Sequence, residues 1–230
     1  MTPMRRKIAE RMIQSKLTSA HVTTVFEIDF TSIALLRERN RDRFLSQYGT
    51  KLSFMPFIFR AAVLALKARP SVNASISGSD VVYHREVNLG VAVALDWGLI
   101  VPVIKRADDL SLVGLARAAN DLAARARARK LVPDEVQGGT FTITNPGIFG
   151  SLFGTPVINQ PQVAILSVGT IEKRPKVVVL PDGSDSLAIR TVGYLSLTFD
   201  HRLIDGAEGD AFMNVMKSTL ESGSWGELEP

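Results

Sequence analysis

The sequence predicts a mixed α/β fold, a β-sheet sandwich flanked by helices. Stretches with helical periodicity are interleaved along the chain with β-rich stretches in which every second residue is apolar. Several β-rich stretches are joined by short turns of the hairpin type, which argues against a regular array of βαβ units. Because no internal repeat or low-complexity linker interrupts this pattern, residues 1–230 are expected to form one domain.

The first part of the chain predicts one strand among helices. An amphipathic helix opens the chain, because apolar residues from Met4 to Leu17 recur at helical spacing among charged ones. Residues 22–30 alternate between apolar and polar, which is typical of a half-buried strand. Helices are then predicted over 33–44 and, more apolar and largely buried, over 56–67.

The rest of the chain predicts most of the sheet. The β-rich runs 87–95 and 99–104 are separated by Asp96-Trp97-Gly98, a connection that suits a hairpin. Ser111 can cap a helix that extends to about Lys130. A turn is indicated at Asp182-Gly183, and a last helix covers about 207–220. The remaining predicted strands are 140–144, 163–168, 176–180, 187–192 and 194–198.

Composition narrows the possible chemistry. The chain has no cysteine, which excludes thiolate nucleophiles, thiolate metal ligands and disulfides and fits a reducing compartment. A net charge of +4 suits an anionic ligand but is too small to indicate nucleic acid. No apolar run reaches the roughly 18 residues that span a bilayer. We therefore expect a bacterial cytoplasmic protein, or one from an equivalent reducing compartment, with no membrane or nucleic-acid partner.

His201 is the residue best placed for catalysis. It lies in a short segment between a β-rich stretch and the last predicted helix, surrounded by Asp200, Arg202 and Asp205. A histidine in such a charged loop can exchange a proton near neutral pH. Spacing alone also allows a structural alternative, in which Asp205 caps the helix and His201 merely ends a strand.

Two sequence blocks resemble a known family. Residues 198–207, Thr-Phe-Asp-His-Arg-Leu-Ile-Asp-Gly-Ala, closely resemble the active-site signature of the E2 acyltransferases of 2-oxo-acid dehydrogenase complexes, relatives of chloramphenicol acetyltransferase. The block 139–150, followed by 155–159 and 163–166, resembles a second region of the same catalytic domain. With residues 6–12 and 91–103, the resemblance covers nearly the whole chain.

The resemblance implies a fold, an assembly and a reaction. The fold is of the chloramphenicol acetyltransferase type, assembled as a homotrimer with active sites between neighbouring subunits. The reaction transfers an acyl group between coenzyme A, a substrate, and a dihydrolipoyl thiol, with no metal. Succinyl transfer in a 2-oxoglutarate dehydrogenase complex of the tricarboxylic acid cycle is favoured, and acetyl or branched-chain transfer by the same mechanism is the alternative.

The resemblance also assigns roles to residues. His201 is the general base that takes the thiol proton, and the Thr144 hydroxyl donates a hydrogen bond to the oxyanion of the tetrahedral intermediate. Asp205 holds the loop or orients charged partners. Asn145, Ser151 and Arg202 are candidate substrate-binding residues, each with a structural alternative.

Some residue groups are interpreted as structural. His21 and His84 lack a charged setting, so an ordinary structural role is favoured for both. The basic run at 125–130 is interpreted as the solvated C-terminal end of a helix and not as a coenzyme A phosphate site.

The family usually carries further domains and partners. Lipoyl and peripheral-subunit-binding domains are not present in residues 1–230, so we expect the lipoyl group to come from a domain outside this chain. The expected partners are the E1 decarboxylase and the E3 dihydrolipoamide dehydrogenase. Larger cages of the family usually depend on an apolar C-terminal tail, whereas residues 223–230 read Gly-Ser-Trp-Gly-Glu-Leu-Glu-Pro. A trimer is therefore expected more firmly than a cage.

Acyl specificity is the least determined feature. Residues 141–145 and 150–152 look most like the succinyl-transferring branch, yet Gly169 stands where some of those enzymes have a histidine. If succinate is used, another cation must recognise its free carboxylate. Two rival functions remain: a non-catalytic core that organises partner enzymes, and acetyl transfer to a small hydroxylated molecule.

Overall fold

The computed structural model describes residues 1–96, 98–222, 225 and 228. Within these residues five α-helices and eleven strands follow the predicted interleaved order. The helices are α1 (Pro3–Thr18), α2 (Thr31–Tyr48), α3 (Met55–Ala68), α4 (Leu112–Arg127) and α5 (Gly206–Glu221). The strands are β1 (His21–Asp29), β2 (Ala74–Ser77), β3 (Asp80–Tyr83), β4 (Leu89–Val91), β5 (Val93–Leu95), β6 (Gly98–Ile100), β7 (Val103–Ile104), β8 (Phe141–Thr144), β9 (Ala164–Val168), β10 (Glu172–Val179) and β11 (Asp185–Asp200).

A mixed seven-stranded sheet forms the centre of the domain. Its path is β1-β11-β9-β8-β4-β7, and β10 pairs with the outer part of β11. β4, β8 and β9 are parallel, whereas β11 runs antiparallel to β1, β9 and β10. The two remaining pairs, β2-β3 and β5-β6, form separate two-stranded sheets.

The two faces of the central sheet differ in polarity. One face is apolar, with Ile143, Leu166 and Leu197 fully buried, and it belongs to the core cluster that includes residues of α3 and α5. Each such side chain contributes about 1.5–3 kcal/mol when it is buried. The other face is rich in hydroxyl groups, because alternate residues of a strand point to opposite faces. Thr144 and Ser167 are register partners on that face.

Local signals explain most of the helix ends. The Ser111 side chain accepts a hydrogen bond from the Gly114 amide at 3.1 Å, as the predicted cap of α4 requires. α4 ends at Arg127, three residues before the predicted end. Gly49 adopts a left-handed conformation, with φ of 66°, directly after α2.

Two predictions about strands were wrong, and one hairpin was missed. The predicted strands 187–192 and 194–198 form one strand, β11, because Gly193 is no break: a Cβ there would lie 2.8 Å from Ile171 Cγ1, so glycine permits close packing. The runs 87–95 and 99–104 are divided between the central sheet and the β5-β6 hairpin. The β2-β3 hairpin was not predicted, because β3 is exposed throughout and shows no alternation.

Two predictions fall partly outside the described residues. β5 and β6 pair as the predicted hairpin, but Trp97 in its turn lies outside the described residues. Of residues 223–230 only Trp225 and Leu228 are described, and both are buried in this chain, with the Trp225 ring centroid 4.9 Å from that of Phe57. The prediction about larger cages stays untested. In the described part of the chain no helix is both long and apolar enough to span a bilayer.

Candidate active site

His201 sits at the exit of β11, in a turn fixed by its neighbours. The amides of Leu203 and Ile204 both donate to the Asp200 carbonyl oxygen at 3.0 Å, and Ile204 is fully buried. The His201 amide donates to the Ala20 carbonyl oxygen at 2.8 Å. These bonds fix the backbone and leave the side chain exposed. Among the described residues none hydrogen-bonds to the His201 ring, which is therefore free to meet a substrate.

Asp200 is the anchor of this turn. Its carboxylate is 1% exposed and accepts hydrogen bonds from the Arg202 guanidinium, at 3.0 Å from Nε and 2.7 Å from Nη2. It also accepts from the Ala20 amide at 3.3 Å and from the Arg202 amide at 3.1 Å. Burial raises the pKa of the carboxyl, but the hydrogen bonds from Arg202 and Ser19 outweigh it and hold the pKa of Asp200 below its usual value.

Arg202 is therefore engaged in a structural ion pair. Two of its nitrogens bind Asp200, an arrangement that favours the structural alternative over direct substrate binding. The side chain is 42% exposed and lines a cavity of about 250 Å³. Its predicted role as a substrate-binding residue stays a prediction.

Asp205 caps the helix that follows His201. Its Oδ1 accepts a hydrogen bond from the Glu208 amide at 2.8 Å, and its backbone is extended, as in an N-cap residue. One turn later, a Cβ on Gly209 would lie 2.7 Å from the Phe199 ring, so glycine lets α5 approach β11 closely. The cap and this contact together fix the loop that carries His201, and the role of Asp205 in the reaction stays a prediction.

Thr144 ends β8 on the hydroxyl-rich face of the sheet. Its side chain is half-buried and has no hydrogen-bond partner among the described residues. Beside it in the sheet, the Ser167 hydroxyl is buried and also lacks a partner in the described part of the chain. In the next strand the Ser196 hydroxyl donates to the Gly154 carbonyl oxygen. A hydroxyl free to donate is thus available at Thr144.

His201 and Thr144 lie at opposite ends of the sheet. Thr144 is level with Ser167, and Ser167 is level with Ser196 of β11. His201 follows Ser196 by five residues, about 16 Å along an extended strand. One chain therefore does not bring these two residues together.

Asn145 and Ser151 belong to the segment that follows Thr144. Asn145 Nδ2 donates to the Met55 sulfur at 3.3 Å, which turns this amide towards α3. The Ser151 hydroxyl donates to the Phe153 carbonyl oxygen at 3.0 Å and is partly accessible. The structure places both residues near Thr144 and far from His201 of the same chain.

The other two histidines differ in their surroundings. His21 Nε2 accepts from the Ile158 amide at 3.1 Å, so Nδ1 carries the proton and donates to the Ser19 carbonyl oxygen at 3.0 Å. His84 lines a cavity of about 930 Å³ under α1, and burial lowers its pKa. In the described residues no group of three or more His, Asp or Glu side chains could hold a metal ion.

Sequence reasoning missed the importance of Asp200 and of the hydroxyl row. The available signal was an acidic residue at the end of an apolar strand, two residues before an arginine, which indicates a buried ion pair. The row Thr144, Ser167 and Ser196 carries no signal in one strand alone, because it depends on the register of three strands.

Solved structures of similar fold include a probable dihydrolipoamide acetyltransferase and a chloramphenicol acetyltransferase. The chain matches a probable dihydrolipoamide acetyltransferase of Listeria monocytogenes with a TM-score of 0.91 and 36% identity, covering 97% of this chain and 94% of that chain. A chloramphenicol acetyltransferase matches with a TM-score of 0.55 and 16% identity, covering 92% of this chain and 94% of that one, which shows the fold alone. The predicted fold class is confirmed.

Curated relatives include two kinds of acyltransferase. The chain is 46% identical over 224 residues to the dihydrolipoyllysine-residue acetyltransferase component of the pyruvate dehydrogenase complex of Mycobacterium bovis, covering 96% of this chain and 40% of that protein. It is 43% identical over 221 residues to the dihydrolipoyllysine-residue succinyltransferase component of the 2-oxoglutarate dehydrogenase complex of Cupriavidus necator, covering 96% and 52%. The chain thus spans about half, or less, of the length of these relatives.

A family model gives the assignment directly. The model of the 2-oxoacid dehydrogenases acyltransferase (catalytic domain) matches residues 1–225, nearly the whole chain. Residues 198–207, which carry His201, lie inside the matched range. The chain therefore belongs to the family of 2-oxoacid dehydrogenase acyltransferase catalytic domains.

Proposed function

We propose that this chain transfers acyl groups between a dihydrolipoyl thiol and coenzyme A, at a site formed by His201 of one copy and Thr144 of another. The observation that carries the proposal is that an unpaired imidazole and an unpaired hydroxyl stand at opposite ends of one sheet. Each end holds half of the groups that thioester exchange requires, so two copies packed end to end complete the site.

His201 would act first as a base and then as an acid. A thiol near its ordinary pKa is mostly protonated at neutral pH, so attack on a thioester needs a group that takes the proton. The imidazole removes the proton from the attacking thiol as its sulfur bonds to the carbonyl carbon. When the intermediate collapses and the other carbon–sulfur bond breaks, the imidazolium returns the proton to the leaving thiolate.

Thr144 would stabilise the charge that develops on the carbonyl oxygen. A fixed hydroxyl donor directed at an oxyanion contributes about 3–4 kcal/mol to the transition state. The Thr144 hydroxyl is free to donate because it has no hydrogen-bond partner among the described residues. Asn145 and Ser151, on the segment that follows, would line the acyl side of the same half-site.

A relative supports this choice of groups. In an Azotobacter vinelandii dihydrolipoamide acetyltransferase, which matches this chain with a TM-score of 0.89 and 34% identity over 96% of this chain and 89% of that one, a serine, a histidine and an asparagine four residues after it were investigated for catalytic roles. In this chain Asp205 stands four residues after His201. A carboxylate at this position keeps the helix cap, and thereby the geometry of the loop.

The family also supports proposals for the source of the lipoyl group, the partner enzymes and the oligomer. The lipoyl group would come from a domain outside residues 1–230, and the E1 and E3 enzymes of the complex would be the partners. The chain also matches the cubic core of a pyruvate dehydrogenase multienzyme complex, with a TM-score of 0.89 and 34% identity over 96% of this chain. A contact between unlike ends of two copies can repeat from copy to copy until it closes into a ring. We propose a ring of three copies, a homotrimer.

Succinyl transfer is the finer proposal, supported by the residues on either side of Thr144 that resemble the succinyl branch. Acetyl transfer is the second candidate, favoured by the 46% identical acetyltransferase. At Gly169 a Cβ would lie 1.9 Å from the Leu152 carbonyl oxygen, so no larger residue fits this backbone. A succinyl carboxylate would therefore need a cation from another position.

A comparison of acyl donors tests the function. Succinyl-, acetyl- and isobutyryl-CoA are each incubated with free dihydrolipoamide and the assembled protein, and acyl-dihydrolipoamide is measured. One donor is expected to give a kcat/KM well above the others. Negligible turnover with all three, in a folded and assembled protein, would overturn the proposal in favour of a scaffold core.

Thr144→Val is expected to lower kcat about 10²- to 10³-fold with little change in KM, because the hydroxyl acts on the oxyanion and not on the bound thioester. Ser167→Ala, which removes the neighbouring hydroxyl, is the matched control and should change kcat far less. Steady-state kinetics with the preferred acyl donor measures kcat and KM of both variants. An unchanged kcat for Thr144→Val would remove this residue from the mechanism.

Mixing two inactive variants tests whether the site is shared. His201→Ala and Thr144→Val chains are dissociated, mixed in equal amounts and reassembled. If each site takes His201 from one copy and Thr144 from the next, random assortment restores about one quarter of the wild-type rate. No recovery in a reassembled mixture would show that the two residues do not share a site.

A further inference from the structure

The backbone of the turn that carries His201 is held at Ala20. The His201 amide donates to the Ala20 carbonyl oxygen at 2.8 Å, and the Ala20 amide donates to Asp200 Oδ1 at 3.3 Å. Ala20 itself is exposed, and its methyl side chain makes no hydrogen bond that could anchor it. The position of Ala20 therefore depends on the residues on either side of it, Ser19 and His21.

His21 ties this segment to the rest of the domain. It begins β1 and is the register partner of Asp200, so the two side chains lie on the same face of the sheet. Its Nδ1 donates to the Ser19 carbonyl oxygen at 3.0 Å, which closes a short loop around Ala20. Its Nε2 accepts from the amide of Ile158, a fully buried residue, at 3.1 Å. One ring thus joins the loop around Ala20 to the interior of the chain.

These two hydrogen bonds require an imidazole in one tautomer. The Ile158 amide can only donate and the Ser19 carbonyl oxygen can only accept, so the ring accepts at Nε2 and donates at Nδ1. Both ring nitrogens are occupied by backbone groups, and neither is left for a substrate. The contacts of His21 therefore support a role in holding the chain and not in carrying a proton for the reaction.

Two buried hydroxyl groups at the end of α1 support the partners of His21. Ser15 is fully buried, and its Oγ donates to the Ile158 carbonyl oxygen at 2.6 Å. Gln160 Nε2 donates to Ser15 Oγ at 3.2 Å and to Ser19 Oγ at 2.7 Å. Buried polar groups whose hydrogen bonds are satisfied within the chain form a rigid arrangement. Both backbone groups that bind the His21 ring are therefore themselves held in place.

We propose that His21 is a positioning residue for acyl transfer: its ring fixes Ala20, and Ala20 fixes the backbone of His201. The His201 ring has no hydrogen-bond partner among the described residues, so its direction depends on the backbone that carries it. A displacement of about 1 Å at a reacting group can cost about 10²-fold in rate. The inference rests on the proposed function, because His21 acts through the base proposed there.

The first test separates kcat from KM. His21→Ala is expected to lower kcat about 10- to 10²-fold with little change in KM, because the base is displaced while the bound substrates are not. His21→Asn, whose amide can still donate to the Ser19 carbonyl oxygen, should recover most of the loss. His84→Ala removes another half-buried histidine and is the matched control, with kcat within about twofold of wild type. Circular dichroism and thermal melting report whether each variant folds.

The second test asks whether His21 acts through His201. In the His201→Ala background the base is already absent, so the addition of His21→Ala should lower the residual rate by less than about twofold. A residue that supports only the fold would lower the rate by the same factor in both backgrounds. Equal factors in the two backgrounds, or a wild-type kcat in His21→Ala, would overturn the inference.

The third test does not depend on catalysis or on the folding of a variant. The chain has three histidines, so nitrogen-15 NMR of the wild-type protein can resolve each ring. His21 is expected to carry its proton on Nδ1 and none on Nε2. A proton on Nε2 in a protein that transfers acyl groups would overturn the inference and leave the proposed function standing. The expected tautomer in a protein that transfers no acyl group would refute the proposed function, and with it the role of His21 in the reaction.

Discussion

His201→Ala is expected to lower kcat/KM for acyl transfer by about 10³- to 10⁴-fold while the fold survives. The imidazole would serve twice in each turnover, as base for the entering thiol and as acid for the leaving thiolate. Its loss costs the fold little, because the ring is exposed and no described residue hydrogen-bonds to it. The backbone bond from the His201 amide to Ala20 remains in the variant. Steady-state kinetics measures the loss of kcat/KM, and thermal melting of the same preparation reports whether the fold survives.

The matched control is another histidine of this chain. His84→Gln removes an imidazole that the proposed mechanism does not use, and should leave kcat/KM within about twofold of wild type. A His201→Ala protein that keeps more than about a tenth of the activity would fall outside what loss of a general base allows. In that case another group on the chain would have to take the thiol proton.

Most helices and the general fold follow from local patterns in the sequence. α3 is predicted from a largely apolar stretch that starts with Pro56 in the first turn, and the α4 cap from Ser111, because both signals lie within the element they define. Strand boundaries were less predictable. In the local sequence Gly193 indicates the end of one strand and the start of another. In the structure the strand is continuous, and glycine is required there because Ile171 packs closely against it.

The candidate site was predictable in its parts and not in its arrangement. The segment around His201 and the block around Thr144 were both found from the sequence. Their separation by about 16 Å along β11 depends on the pairing of β8, β9 and β11, which no single segment encodes. The ion pair that anchors the His201 turn has a weak signal in the sequence, an acidic residue two positions before Arg202, but the burial of Asp200 in the structure is what identifies it as the anchor.

Asp200→Asn is expected to lower the free energy of unfolding by about 3 kcal/mol at pH 7, because it breaks a buried ion pair. An amide keeps the shape but loses the charge and cannot accept hydrogen bonds on both atoms. The loss should lie at the lower end of the range for such pairs, since Arg202 is 42% exposed and stays solvated. Urea unfolding measures the change, and Arg202→Lys, which keeps the positive charge, should cost less than Arg202→Ala.

The same ion pair predicts a pH dependence with a definite sign. The pKa of Asp200 is lower in the folded chain than in the unfolded chain, because hydrogen bonds from Arg202 and Ser19 outweigh the effect of burial. A lowered pKa contributes stability that is complete above the unfolded value of about 4 and is lost as the pH falls through the folded value. The difference between wild type and Asp200→Asn should therefore be constant above about pH 5 and shrink below about pH 4. A difference that persists unchanged to pH 2 would mean that the charge of Asp200 does not hold the turn, and that the position of His201 depends on backbone contacts alone.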